Sequence, residues 1–469
     1  MEEKKNAGDQ RRDALLYRPK NGYDRLSTAD EACMKRYSED YKKFLDGSMT
    51  EREVVDSAVA QAEARGFKPF VRGMTLRAGD KVYRVNRGKA VMLAVVGEES
   101  LNQGVNIAAA HIDSPRLDLK PNPLYEDGEL AFFKTHYYGG IRKYQWVTIP
   151  LELHGVVALK DGSVVKVALG SAAGDPLFTI DDLLPHLGAE QNKKPLGEAI
   201  PGESLNVLIG SRPFAGDEGS DRVKLAVMDL LNQKYGIVEE DFLSAELEVV
   251  PAFRASDIGF DRSLIGAYGH DDRVCAYAAL AALLDLEKTP AKTAVCMLAD
   301  KEEIGSEGVT GMQSAAFDTF MSDLCDTQKV PLKVCYESSF CFSTDVTAAF
   351  DPNFPEVYEK RNSAKVNYGL GLAKYTGARG KSGSSDAAAE LVARVRRVLD
   401  GAEVVWQMAE LGKVDAGGGG TVACYMANRD IDTIDAGVPV LSMHAPFETV
   451  SKLDCYMTYK GIKAVYEGM

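Results

Sequence analysis

The chain has 469 residues, with 55 Lys and Arg against 69 Asp and Glu, for a formal net charge of −14. So acidic a chain lacks the basic face that displaces counterions from a phosphate backbone, which argues against a nucleic-acid binder. An apolar share of 45% excludes disordered and fibrous classes, and the length predicts two or three domains rather than one simple core.

The N-terminal stretch MEEKKNAGDQRRDA has charges with no apolar core behind them, unlike a secretory signal. The longest nearly unbroken apolar run, Val274 to Leu284, falls short of the roughly 20 residues that span a bilayer. Cysteines 33, 275, 296, 325, 335, 341, 424 and 455 form no CxxC pair and sit mostly in apolar runs. Reduced, buried thiols in a cytoplasmic protein are expected, not a thiolate metal site.

Ser27 is placed to cap a helix through ADEACMKRYSEDYKKFLDG, which Gly47 stops. Thr50, with Glu53 three residues on, predicts a capping box for a second helix that ends at Gly66. Strands KVYRVNR, AVMLAVVG and GVNIAAAHID follow, the last continuously apolar as for a strand buried on both faces. From Leu124 to Val250 short alternating strands, LAFFKTHYY, YQWVTIPLELHGVVAL and SVVKVAL, are separated by turn signals such as Asp161-Gly162 and by a polar loop, AEQNKKPLGEAIPGES. An inserted, mainly β domain is therefore expected over 121–249, interrupting a second domain made of 1–120 and 250–469.

After Ile258 the pattern alternates. Helix 272–287, strand TAVCMLAD, helix 311–325, strand PLKVCYES and helix 384–399 are expected first. Strand EVVWQMA, helix 420–428, strand TIDAGVPVLSM and a closing helix 449–466 complete the series. Such alternation predicts an α/β fold with a mostly parallel sheet covered by helices on both faces.

In an open α/β sheet, ligands bind beyond the carboxyl ends of the strands. His111-Ile112-Asp113 closes one apolar strand, His270-Asp271-Asp272-Arg273 follows IGAYG, and Glu302-Glu303 follows VCMLAD. Asp345 follows SFCFST, and His444 follows PVLSM. Taken singly, an acid after a strand is ordinarily a helix cap and a Glu pair a solvated surface. Together, these ends supply imidazoles and carboxylates without thiolates, a donor set suited to two divalent ions, Zn²⁺ first, with Mn²⁺ and Co²⁺ as alternatives. The Glu302-Glu303 pair allows one glutamate to ligate while its neighbour acts as general base.

In this order, HIDSPRLDLKP, GHDDR, DKEEIGS, STDVTAAFDPNF and MHAPFE resemble the motifs of the aspartyl aminopeptidase and vacuolar aminopeptidase I family of dizinc exopeptidases. The resemblance covers nearly the whole chain, and HYYGGIRKYQW is similar to the family's bacterial branch. It implies the dizinc exopeptidase fold and a metal-dependent aminopeptidase that removes single N-terminal residues from peptides, acidic ones among them. A neutral, Leu- or Met-type preference is the alternative. The rival class is a non-catalytic assembly or receptor protein that keeps the fold, but such relatives usually lose a ligand or the base, and none is missing here.

Residue by residue, the resemblance implies His111 and Asp345 on one ion, Glu303 and His444 on the other, and Asp271 bridging the two. Asp113 would orient the His111 ring, and Glu302 would be the base that takes a proton from a metal-bridging water. Asp272 is then left to cap the helix that starts at Arg273. Lys365 would contact an acidic first side chain. Gly418 and Gly419 would let backbone approach the substrate, although so glycine-rich a loop departs from the acidic-specific members. His186 would reach into a neighbouring subunit's active site and stabilise the oxyanion. The implied partners are peptide substrates and copies of the chain, in a dodecamer built from dimers, with neither nucleic acid nor membrane. His136, His154 and His270 are left as structural or surface residues. GARGKS, Gly377 to Ser382, nearly matches a phosphate-binding loop, but Tyr375 stands where that pattern needs glycine.

Overall fold

Both early helix caps form as the sequence predicts. Ser27 accepts from the Asp30 N–H at the start of Thr28–Asp46, and Thr50 and Glu53 close a reciprocal capping box on Glu51–Ala64, each cap contributing about 1 kcal/mol. These come from a computed structural model that describes residues 6–377 and 379–469. The opening MEEKK lies outside the described residues, as does Ala378 within GARGKS.

The central sheet has nine strands. From one edge they are Lys68–Pro69, Lys81–Asn86, Ala90–Val95, Thr293–Ala299, Val105–His111, Phe340–Ser343, Asp432–Gly437, Leu370–Ala373 and Trp406–Met408. The fourth to seventh strands run parallel to one another. Side chains alternate across a strand, and here both faces are dry. Ala108, Ala110, Cys296, Leu298 and Phe342 pack into one core with the helices His270–Leu284 and Lys452–Gly468. Ile107, Ala109, Val295, Met297 and Cys341 pack into the other with Ala316–Asp326. The expected α/β fold, a mostly parallel sheet covered on both faces, is the fold observed.

A second sheet is antiparallel throughout: Val164–Leu169, Leu151–Ala158, Ala245–Pro251, Arg116–Asp127, Leu130–Tyr138 and Val207–Gly210. It encloses its own core around Trp146, Leu153 and Val249. A third, five-stranded sheet contains Leu264–Ala267, Pro439–Leu441 and Glu448–Ser451.

Several elements differ from expectation. PLKVCYES is not a strand. Residues Leu332–Glu337 wind as a helix behind Pro331, whose fixed φ suits a helix start, and the strand is the next segment, Phe340–Ser343. TIDAGVPVLSM is not one strand but two, Asp432–Gly437 and Pro439–Leu441, in different sheets. The helices expected from 311, 384 and 420 begin later, as Ala316–Asp326, Ala389–Gly401 and Ala423–Ala427. Helix Arg222–Tyr235, unanticipated, buries only Val223 and Leu231, so its apolar periodicity is faint in the sequence. Among the described residues no helix is long and apolar enough to cross a membrane. Six cysteines are buried and two half-buried, all unpaired.

Candidate active site

The parallel strands end side by side, so the residues that close them converge. His111 is the last residue of Val105–His111, Asp345 lies two residues beyond Phe340–Ser343, and Glu302–Ile304 is a 3₁₀ turn after Thr293–Ala299. Asp271 and His444 arrive from the five-stranded sheet, just past Leu264–Ala267 and Pro439–Leu441. The Asp271–Asp272 peptide is cis. Gly269, at φ +71°, makes the turn into this segment possible: a Cβ there would stand 1.8 Å from Arg273 Nη2. The fully buried Arg273 guanidinium ties the turn down, donating to the carbonyls of Gly269 (3.1 Å), Tyr268 (2.7 Å) and Ser48.

Two ligand triplets share one carboxylate. His111, Asp271 and Asp345 offer donor atoms within 4.8 Å of one another, and so do Asp271, Glu303 and His444. His111 Nε2 lies 3.1 Å from Asp271 Oδ1 and 3.7 Å from Asp345 Oδ1. His444 Nε2 lies 3.1 Å from Asp271 Oδ2 and 3.8 Å from Glu303 Oε2. Thus the two oxygens of Asp271 face different histidines. Glu303 Oε1 is buried without a hydrogen-bond partner among the described residues. Burial, and then repulsion from Asp271, pushes the Glu303 carboxyl well above its ordinary range; burial pushes Asp345 up as well. So many carboxylates in a dry site need positive charge, and the two imidazole–carboxylate sets have the chemistry of zinc ligands.

Both histidines are aimed by bonds from their other nitrogen, as metal-binding histidines generally are. His111 Nδ1 lies 2.9 Å from the Asp113 carbonyl and 3.3 Å from Asp113 Oδ1. His444 Nδ1 lies 2.8 Å from the Gly140 carbonyl. His444 itself sits at φ +64°, a left-handed strain held by its N–H bond to Glu448 Oε1 at 2.7 Å. Glu448 Oε2 accepts from the Asp271 N–H at 3.1 Å, so one buried glutamate fixes two ligand backbones. Asp113 does more than face His111. It accepts from the Glu302 N–H (3.1 Å), the Glu303 N–H (3.2 Å) and the Tyr138 hydroxyl (2.8 Å). Burial opposes its charge, but His111, Tyr138 and Arg116 together hold it below its ordinary range. The Arg116 guanidinium stacks 3.8 Å over the Tyr138 ring.

A cavity of about 380 Å³ opens beside the triplets. Gly418 and Gly419 line it, as do Gly420, Thr421 and Asp435. Lys365 does not; its Nζ lies 5.4 Å from the Tyr368 ring centroid. His186 is exposed and belongs to neither triplet nor to the cavity wall. Asp272 does not cap the helix. Residues 271 and 272 have non-helical φ and ψ, and the Asp272 carboxylate is buried, accepts no N–H and faces the Cys275 thiol. Of the other histidines, His270 is buried between Tyr41 (2.8 Å) and the Ile265 carbonyl (3.1 Å), and burial lowers its pKa to about 3. His154 bridges Glu53 and Glu152 at 2.8 and 2.9 Å. Tyr138, Glu448 and Asp435 went unnoticed in the sequence. An acid inside the apolar run TIDAGVPVL was the available signal for the last.

A profile of the family described as aminopeptidase I zinc metalloprotease (M18) matches residues 44–466. The probable M18 family aminopeptidase 1 of Clostridium acetobutylicum is 49% identical over 458 residues, covering 96% of this chain and 98% of its own length. The crystal structure of an M18 aminopeptidase from Thermotoga maritima superposes with a TM-score of 0.92 at 44% identity, covering 97% of this chain and 100% of that one. The S. cerevisiae mApe1 dodecamer, 19% identical, shares the fold with a TM-score of 0.74 over 92% of this chain and 96% of its own. This chain belongs to the M18 family of aminopeptidase I zinc metalloproteases and is an aminopeptidase, a hydrolase of peptide bonds.

Proposed function

We propose that the enzyme removes single N-terminal residues from peptides at a site for two zinc ions, with Glu302 as the general base. The observation that carries this reading is the pair of triplets joined at Asp271. His111 and Asp345 serve one ion, Glu303 and His444 the other, and Asp271 both. Zinc bound there supplies Lewis acidity, acidifying water and polarising a carbonyl oxygen. The Glu302 carboxylate, 3.9 Å from His111 Nε2, accepts no hydrogen bond from the described residues and is free to handle protons. It takes one from the attacking water and later delivers it to the leaving amine. Burial raises its pKa, His111 opposes and Asp345 adds, leaving it at about 8; bound cations bring it back toward neutrality. Asp113 holds the base and a ligand in register by gripping both backbone N–H groups.

The cavity favours a neutral over an acidic first side chain. Among the described residues no lysine or arginine lines it, and Lys365 is turned toward Tyr368. Gly418 and Gly419 give the substrate backbone a close wall. The working form is a cytoplasmic homo-oligomer, with a dodecamer built from dimers the arrangement expected. In it the six-stranded region over 121–249 serves as the assembly and substrate-access domain, and the exposed His186 completes a neighbouring subunit's site. The test is digestion of a short peptide by the zinc-loaded chain, read by mass spectrometry beside elemental analysis. Stepwise loss of single N-terminal residues with about two zinc per chain is expected. Internal cleavage, or fewer than about one zinc per chain, overturns the proposal.

A further inference from the structure

Two ionisable side chains of the cavity belong to neither triplet, Glu302, proposed above as the base, and Asp435. Asp435 lies in the strand Asp432–Gly437, paired with Ser343 on the strand that leads to Asp345. It is only 5% exposed, yet it lines the cavity. Ser343 Oγ and Thr421 Oγ1 both donate to its Oδ1, at 2.8 and 2.7 Å. Among the described residues nothing donates to Oδ2. A carboxylate oxygen without a protein donor, on a side chain that lines the cavity, can accept from a ligand that enters. The wall around it includes Thr347, Ala373, Thr376, Leu411 and Met443, with no lysine or arginine among the described residues. The glycine loop leaves room at its side: a Cβ on Gly420 would meet nothing within 4 Å, and one on Gly419 only Leu411 Cδ2 at 3.6 Å.

We propose that Asp435 is the specificity-determining residue of this aminopeptidase, accepting a hydrogen bond from the ammonium or guanidinium of an N-terminal Lys or Arg and rejecting Asp and Glu. This rests on the aminopeptidase reading above. An acidic first side chain would enter beside the Asp435 carboxylate, and like charges at short range repel. Burial pushes Asp435 up to about 7; an entering cation reverses that shift and holds the carboxylate ionised. A neutral side chain meets neither penalty nor reward.

The test is kcat/KM of the zinc-loaded full chain on p-nitroanilides of Lys, Arg, Leu, Met, Asp and Glu. Lys and Arg are expected to exceed Asp and Glu by at least about tenfold, the size of one charged contact made or denied. Asp435→Asn is expected to lower kcat/KM for Lys and Arg by about tenfold more than for Leu and Met. Zinc content and thermal midpoint of the variant are measured alongside. A wild-type enzyme that cleaves Asp or Glu as well as Lys overturns the proposal whatever the variant does. An equal loss on Lys and Leu in a folded, zinc-loaded Asp435→Asn enzyme overturns it too. Failure of the wild-type enzyme on every substrate would overturn instead the aminopeptidase reading beneath it.

Discussion

The nine-stranded and six-stranded sheets treat their surfaces in opposite ways. Val105–His111 and Thr293–Ala299 are buried at every residue, and the polar groups that close them are gripped by neighbours from other elements. In the six-stranded sheet Val164–Leu169 alternates exposed and buried, and the chain beyond it leaves Leu177, Leu183, Leu184 and Leu187 exposed. Chemistry that depends on ligand positions needs the first kind of frame, closed and dry. Apolar surface left open in one stretch is the mark of a face that another chain covers, which fits the homo-oligomer proposed above.

Four substitutions probe that contrast, in order of expected effect. Glu302→Gln acts wholly within the closed frame. It should lower kcat by about 10²–10⁴ while bound zinc, measured by elemental analysis, is unchanged; a variant that still turns over at the wild-type rate refutes Glu302 as the base. His186→Ala acts from the open region. Loss of an oxyanion donor costs about 10²–10³ in kcat, and Leu184→Asp should produce the same defect by dissociating the assembly, read by light scattering. Monomers of full activity would break the contrast. Tyr138→Phe sits where the regions meet and should have the smallest effect. Removing one bond to Asp113 is expected to reduce kcat or zinc affinity by about 10–100-fold with an unchanged fold. An effect on stability alone would make Tyr138 part of the scaffold only.

Much of the site could be read in the sequence because its residues interrupt apolar strands. His111, Asp271, Glu302, Glu303, Asp345 and His444 each follow such a run, and the structure brings all six together. The rest depends on contacts that no local pattern records. Tyr138 meets Asp113 across 25 positions, and Glu448 meets Asp271 across 177. Asp435 looks like a flaw in an apolar strand until the cavity is seen beside it. The same limit explains the fold errors. PLKVCYES has a short apolar pattern compatible with helix or strand, and only packing decides. TIDAGVPVLSM reads as one element because its division reflects a change of sheet, which leaves no local trace.

The Gly140 carbonyl has a wider consequence. It follows the strand Leu130–Tyr138 of the six-stranded sheet, and it aims the ring of His444. Gly139 beside it lies so close to Glu303 that a Cβ would stand 3.1 Å from Oε2. The six-stranded region therefore cannot be trimmed away as an accessory module to leave a minimal peptidase. A shortened chain would keep every ligand in its sequence and lose the atom that points one of them. Any displacement of that region reaches His444 through the Gly140 carbonyl and Asp113 through the Tyr138 hydroxyl.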